Sequence, residues 1–507
     1  RGFRLNENSG GILKNGLRDV SQGFAFQPLA NIEKIEVLKG VSSALYGRGE
    51  PGGIVNLITK KPLKQNFTEI SVTADTDNLY QINLDANAKL TEKLLFRLNV
   101  QFDEGDSFRD VVQRERIFIA PSISYQFNDR QKLTLEAEFN DFSQTRDQGI
   151  AAINGDIYVL PRERFLGGDT EVDTQITTFQ ATHEWFINDD WALNTKFRIG
   201  QDDTDDALFN PLDAGLQSSL NNSALFLDND VRIFRTFTSA DDVKDETNID
   251  INLAGVIGVA GIEHQLLFGL NSNQREVNRQ SQFNYNATLY NVLSSVNPAL
   301  SAYAITSFVD PFAPQDAELI TLPAALSFIN PFFNQQFEFS DQVGFESVKT
   351  KITTTGVYFQ DQIKFNDQWQ MVLGGRYDEN DYELDSTRLN VAQFFGVGRV
   401  AFDPTVRSDQ SEGEFIPKAA LLYSPQENMS IYASYGRQYD LALVASDVRP
   451  TESEAIEVGY KWDISDALTA SFAYFNIEKT NIVDTGNLLV PDVIDEIVSE
   501  GVELSLL

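Results

Sequence analysis

The side chains able to do covalent or acid–base chemistry are scarce in this chain. Its 507 residues include two histidines, His183 and His264, and no cysteine. Without a thiol there is no cysteine nucleophile and no disulfide framework. The two imidazoles lie far apart in sequence, which argues against a histidine-based zinc or haem site. His183 falls in an alternating stretch and His264 beside a turn, so both read as ordinary structural residues. The segment Gly47-Arg48-Gly49-Glu50-Pro51-Gly52 satisfies G-x-G-x-x-G. A dinucleotide site needs that motif to open a helix whose N-terminus meets the pyrophosphate. Here Pro51 and Gly53 precede a β-branched run, so nucleotide binding is rejected. The acidic run Asp202-Asp203-Thr204-Asp205-Asp206 lacks the glycine and the spaced ligands of a calcium loop. It is expected to be a solvated loop entrance. No catalytic constellation remains, and neither a resident metal nor a cofactor is expected.

The elements that would position a site are strands. Tyr80, Ile82, Leu84, Ala86 and Ala88 alternate with Gln81, Asn83, Asp85, Asn87 and Lys89. Leu94, Phe96, Leu98, Val100 and Phe102 alternate with Arg97, Asn99, Gln101 and Asp103. The same period of two recurs at 133–140 and 193–200. Runs of about ten residues with one apolar face are the signature of transmembrane barrel strands. On this pattern Phe96 and Leu98 face lipid, while Arg97 and Asn99 face the lumen. The connections sort into two kinds. Short ones lie at 91–93, 128–130, 188–190, 366–368, 424–428 and 465–466. Long ones lie at 104–115, 144–171, 205–245, 281–346, 385–410, 438–451 and 482–497. Barrels of the outer membrane have short periplasmic turns and long external loops. Aromatic residues near the short turns, such as Trp185, Trp191, Trp369, Tyr423 and Trp462, suit an interfacial girdle. The longest uncharged apolar run, near Leu253 to Ile262, is too short to span a bilayer as a helix.

The formal net charge of -34 excludes nucleic-acid binding, which needs a positive surface. The loop 281–346 contains no Lys or Arg but many Phe and Tyr. An acidic aromatic loop would repel a strongly anionic ligand and suits a neutral or cationic one.

Residues 28–62 read P-L-A-N-I-E-K-I-E-V-L-K-G-V-S-S-A-L-Y-G-R-G-E-P-G-G-I-V-N-L-I-T-K-K-P. Within them, 32–38 and 54–59 read as strands, 41–46 as a helical turn, and the glycines around Pro51 as a tight turn. This stretch resembles the plug domain of TonB-dependent outer-membrane siderophore receptors. That family writes it I-E-R-V-E-V-L-R-G-P-x-S-x-L-Y-G-x-x-x-P-G-G-x-x-N-x-x-T-K-x-P. The chain departs at Lys34, Lys39 and Val41. Arg1-Gly2-Phe3 and Asn15-Gly16 match the plug upstream. Gly356 to Gln362, Gly374 to Asp378, Glu457 to Lys461 and Gly501 to Glu503 match later barrel motifs.

The resemblance implies an all-β membrane protein. An α+β plug, residues 1–62, would sit inside a large antiparallel transmembrane barrel, residues 67–507, with about 16 of an expected 22 strands. Both ends read as lying within the family pattern, so the chain is expected to be a fragment that lacks the N-terminal part of the plug and the last strands. The implied function is TonB-dependent uptake of a ferric siderophore, of the ferrichrome or hydroxamate branch, by binding and energy-driven plug rearrangement. The alternatives are a receptor for another large chelate such as cobalamin, or a passive porin. An outer-membrane phospholipase is the enzymatic alternative and is rejected, because its barrel is small and unplugged. The implied partners are the ferric siderophore, the TonB complex, and outer-membrane lipid and lipopolysaccharide. By the same resemblance, Glu7, Asn8 and Phe24, with Phe26 beside them, would contact ligand. Arg1 and Lys39 on the plug would face Glu457 and Glu503 on the barrel as a largely buried ionic lock.

Overall fold

The computed structural model describes residues 11–21, 27–39, 47–49, 51–76, 78–147, 149–150, 160–167, 171–211, 233–283, 307–310, 313–319, 344–392, 400–402, 406–441, 449–465, 467–484 and 492–506. The expected helical turn at 41–46 lies outside the described residues.

Four strands form the first sheet: β1 (Ile12–Lys14), β2 (Leu17–Arg18), β3 (Ile32–Lys39) and β4 (Gly53–Thr59), ordered β2-β1-β4-β3. β1 and β2 form a hairpin across Asn15-Gly16, whose φ angles of 54 and 80 are those of a type I′ turn. β1 then runs parallel to β4, and β3 antiparallel to it. Ile12, Val55 and Leu57 pack into a small core with Ile32 against them. Among the described residues this cluster is small, and the wall around the sheet adds support through contacts such as Lys14 with Glu138.

That wall is one antiparallel barrel. It opens with β5 (Phe67–Ala74), β6 (Tyr80–Lys89), β7 (Leu94–Asp106), β8 (Gln113–Asn128) and β9 (Gln131–Thr145). It continues with β10 (Glu171–Phe186), β11 (Trp191–Pro211), β12 (Ile233–Val259) and β13 (Ile262–Phe283). The short β14 (Ser307–Asp310) and β15 (Ala313–Leu319) precede β16 (Gly344–Lys364) and β17 (Trp369–Ala392). The short β18 (Val400–Phe402) leads to β19 (Val406–Gln426), β20 (Met429–Asp440), β21 (Thr451–Ser465), β22 (Leu468–Asp484) and β23 (Asp492–Leu506). Without the three short strands, sixteen long strands make the described wall.

The alternation sorts the side chains as the sequence implied. Arg97, Asn99, Gln101 and Asp103 are buried, and Arg97 reaches the plug at the Lys61 carbonyl. On the other face Ile117, Phe139, Val357, Phe359, Ile456 and Val458 are exposed, as a lipid-facing band must be. No described helix is long and apolar enough to cross a membrane. The strands make the crossing.

Strand length departs from the expected ten residues. β12 has 27 residues and β17 has 24. They run on as a paired ladder into the stretches 205–245 and 385–410, which read as long loops. Above the hydrocarbon a strand still needs its hydrogen bonds but no longer an apolar face, so the alternation stops marking it. The acidic run 202–206 is accordingly inside β11, with Asp202 buried, and is not a loop. The apolar run 253–262 hides a tight turn at Ala260-Gly261, with φ of 52 and 83.

Candidate functional site

The plug is held inside the barrel by polar contacts of unequal strength. The tightest group lies beside the β1–β2 hairpin. Lys14 ends β1, and the turn at Asn15-Gly16 brings Asp19 back beside it. Lys14 Nζ lies 3.2 Å from Asp19 Oδ2 and 2.7 Å from Glu138 Oε2 on β9. Arg198 on β11 closes the ring, with its NH2 3.0 Å from Asp19 Oδ1 and 4.0 Å from Glu138 Oε2. Two cations and two anions balance. Asn31 donates to the other Glu138 oxygen at 2.7 Å. Lys14 and Asp19 are 2% and 1% exposed, so these charges are out of water. Burial disfavours the Lys14 cation, but Asp19 and Glu138 outweigh it and hold its pKa above the ordinary value. Burial likewise opposes the Asp19 carboxylate, and Arg198 and Lys14 outweigh it to hold its pKa low. Next to this ring, burial and then the neighbouring Arg48 charge pull the Arg18 pKa down to about 10.

A second anchor follows β4. Thr59, Lys60 and Lys61 are the T-K-K of the plug motif. Thr59 Oγ1 donates to Glu136 on β9 at 2.5 Å, and Lys61 pairs with the other oxygen of the same carboxylate. Lys60 Nζ lies 2.9 Å from Asp85 on β6, which Arg97 on β7 grips with two bonds of 2.8 Å each. Asn15 Nδ2 donates to Thr59 Oγ1 at 3.0 Å, joining the two anchors.

The Gly47–Gly49 loop makes a third. Gly49 N donates to the Tyr439 carbonyl at 3.1 Å, and Arg18 NH2 to the Arg48 carbonyl at 2.6 Å. Gly47 has φ +80 and lies under the Arg376 guanidinium, where a Cβ would come within 3.1 Å of NH2. Behind it, Arg376 NH2 pairs with Asp378 Oδ1 at 2.5 Å, and Tyr439 donates to Asp378 Oδ2 at 3.0 Å. The glycines that imitate a nucleotide motif are therefore a close-packed plug–wall contact.

The contact of Lys39 with β23 is more exposed. Lys39 Nζ lies 3.0 Å from Glu503 Oε2, so one expected partnership of the lock is present. It is not largely buried, because the two side chains are 59% and 31% exposed. The reason is that β3 presents its residues to open lumen and carries little of the packing that covers β1 and β4. Glu457 accepts a 2.6 Å bond from Tyr432 on the neighbouring strand. Arg1 lies outside the described residues, as do the expected ligand contacts Glu7, Asn8, Phe24 and Phe26. Most of the loop 281–346 lies outside them too. His264 pairs with Asp361 at 2.8 Å, a wall contact next to the Ala260-Gly261 turn. Among the described residues no group of three or more His, Asp or Glu could hold a metal ion.

The sequence reading missed the ring of Lys14, Asp19, Glu138 and Arg198. Part of its signal was there: the alternation marks Glu138 and Arg198 as inward charges. What the sequence lacks is the register that sets them beside the hairpin.

The family comparisons agree with this geometry. The model described as "TonB dependent receptor-like, beta-barrel" matches residues 121–507. That described as "TonB-dependent Receptor Plug Domain" matches residues 1–54. A metal-pseudopaline receptor of Pseudomonas aeruginosa is 29% identical over 488 residues, covering 94% of this chain and 61% of that protein. A ferrioxamine receptor of Yersinia enterocolitica is 24% identical over 473 residues, covering 90% of this chain and 58% of that protein. The chain thus spans about three fifths of the length of these relatives. The crystal structure of the ferric-catecholate import receptor Fiu from Escherichia coli K12 superposes with a TM-score of 0.78 at 21% identity, over 98% of this chain and 70% of that one. The pyoverdine receptor FpvA of Pseudomonas aeruginosa PAO1 superposes with a TM-score of 0.74 at 19% identity, over 98% of this chain and 67% of that one. With a plug sheet anchored by ion pairs inside an antiparallel outer-membrane barrel, the chain belongs to the TonB-dependent receptor family.

Proposed function

We propose that the protein takes up a metal–siderophore chelate, in the first instance a ferric one, across the bacterial outer membrane. The chelate binds from outside. TonB, energised from the inner membrane, then rearranges the plug so that the chelate passes. The protein changes no covalent bond of its cargo and needs no resident cofactor; iron travels within the ligand. The observation that carries this proposal is the occupied lumen. A plug anchored by the Lys14 ring and the Thr59–Lys61 segment stands in the lumen, where a porin keeps an open path. Energy is required because a plug held by buried ion pairs does not leave unaided.

The cargo follows from the relatives only as a class. They are named for metal–pseudopaline and for ferrioxamine, so non-ferric chelates belong in the test beside ferric ones. Glu7, Asn8, Phe24 and Phe26 are the proposed ligand contacts, and lipid and lipopolysaccharide the proposed surroundings of the wall. Quenching of tryptophan emission in the full-length protein by a panel of ferric hydroxamates, ferric catecholates, other metal chelates and cobalamin tests the proposal. Saturable quenching by one chelate class, weakened in a Phe24→Ala, Asn8→Ala double variant, is expected. No saturable binding by any member of the panel overturns it.

A further inference from the structure

A cavity of about 150 Å³ opens between the end of β3 and the wall strands β19 to β22. It is lined by Lys39, Lys418, Ser434, Glu457, Phe475 and Ile477. Its two lysines are not evenly engaged. Each carboxylate already has a donor: Glu457 takes the Tyr432 hydroxyl at 2.6 Å, and Glu503 at the rim takes Lys39 at 3.0 Å. Lys418, on β19, has no hydrogen-bond or ion-pair partner among the described residues. Its cross-strand partners are glycines on both sides, Gly374 on β17 and Gly436 on β20, so no acidic side chain stands abreast of it. An ammonium has three donors and no acceptor, and an acceptor that brings negative charge makes the strongest bonds to it. Phe475 and Ile477 are 7% and 0% exposed and give the cavity an apolar side, which strengthens any charge pairing made there.

We infer that this cavity is a carboxylate subsite on the ligand's route through the lumen, and that the chelates carried present a free carboxylate to Lys418. The inference rests on the receptor function proposed above and narrows its substrate class. The cavity has room for a carboxylate-bearing arm but not for a whole chelate. Lys39 gives the subsite a consequence. Its bond to Glu503 is half in water and therefore weak. A carboxylate held by Lys418 competes with Glu503 for Lys39 and loosens the plug on this side, while the buried anchors by β6 to β11 stay made.

Citrate is the probe. The full-length protein in detergent is titrated with citrate by calorimetry, beside the Lys418→Gln and Lys418→Arg variants and with trimethyl citrate as the uncharged control. Loss of one charge-assisted contact weakens binding about tenfold or more. Citrate is expected to bind the wild type, to bind Lys418→Gln at least about tenfold more weakly, and to bind Lys418→Arg nearly as well. Trimethyl citrate is expected not to bind. An unchanged thermal transition shows that each variant is folded. Citrate binding that ignores Lys418→Gln, equal binding of the ester, or no citrate binding at all overturns the subsite. Chelate quenching separates the two proposals. A protein that takes ferric chelates but not citrate keeps the receptor function and loses the subsite. One that binds citrate through Lys418 but takes no chelate keeps an anion site and loses the receptor function.

Discussion

Glu138→Gln removes one of two anions from the buried ring at the hairpin. Asp19 is then left to balance both Lys14 and Arg198. Gln keeps an acceptor for Asn31 and nearly the same volume, so the change is one of charge. Stranding a buried cation costs about 3–5 kcal/mol when its partner is removed. The Thr59–Lys61 anchor and the wall itself are not touched, so the loss falls on docking of β1, β2 and β4. Hydrogen exchange read by mass spectrometry on the full-length protein resolves it. At about 1.4 kcal/mol per tenfold, plug amides such as those of Leu13, Val55 and Leu57 are expected to exchange roughly 100- to 4,000-fold faster. Amides of β8 to β11 are expected to keep their rates. A second substitution checks the cause. Lys14→Met together with Glu138→Gln restores the balance of charge, and is expected to exchange more slowly than Glu138→Gln alone. Plug exchange equal to wild type in Glu138→Gln, or a double variant worse than the sum of its parts, refutes the ring as the plug's main anchor.

Other expectations follow from the same contacts. Lys39→Met, at an exposed pair, is expected to cost about 0–1 kcal/mol and to leave plug exchange nearly unchanged. Gly47→Ala forces a left-handed backbone on a Cβ that would crowd the Arg376 guanidinium; a loss of about 1–3 kcal/mol is expected, read as faster exchange around Gly49. Docking should also respond to pH at both extremes. Asp19 has a folded-state pKa below its unfolded value, so its contribution is present above about pH 4 and is lost as pH falls through the folded value. Lys14 has a folded-state pKa above its unfolded value, so its contribution is full below about pH 10 and is lost as pH rises through the folded value. Exchange of plug amides, corrected for the intrinsic pH dependence, is expected to be flat between those limits and to rise outside them.

Much of this was legible in the residues because a barrel wall writes itself in period two. The inward set Arg97, Asn99, Gln101 and Asp103 follows from alternation alone, and so do Glu138 and Arg198. The plug strands β3 and β4 were legible because Pro51, the surrounding glycines and Pro62 mark their ends. Strand length above the membrane was not legible, because β12 and β17 no longer need an apolar face there. The Lys14 ring was hidden for another reason: Lys14 and Glu138 are 124 residues apart, and nothing local fixes which wall strand the hairpin meets. Lys39 and Glu503 were found through the family pattern, but not their exposure, which depends on how little of β3 is covered.

The most direct test of the account is chelate uptake by cells carrying the full-length protein, with the plug free or tethered. Cysteines replacing Val20 on the plug and Gly200 on β11, whose Cβ positions lie 3.1 Å apart, form the tether under oxidising conditions, and ⁵⁵Fe carried by the chelate that quenches best reports passage. Uptake is expected in cells with TonB, to be absent without TonB, to stop on oxidation and to return on reduction. Passage that continues without TonB and through a tethered plug would contradict a gated receptor and make the barrel an open channel.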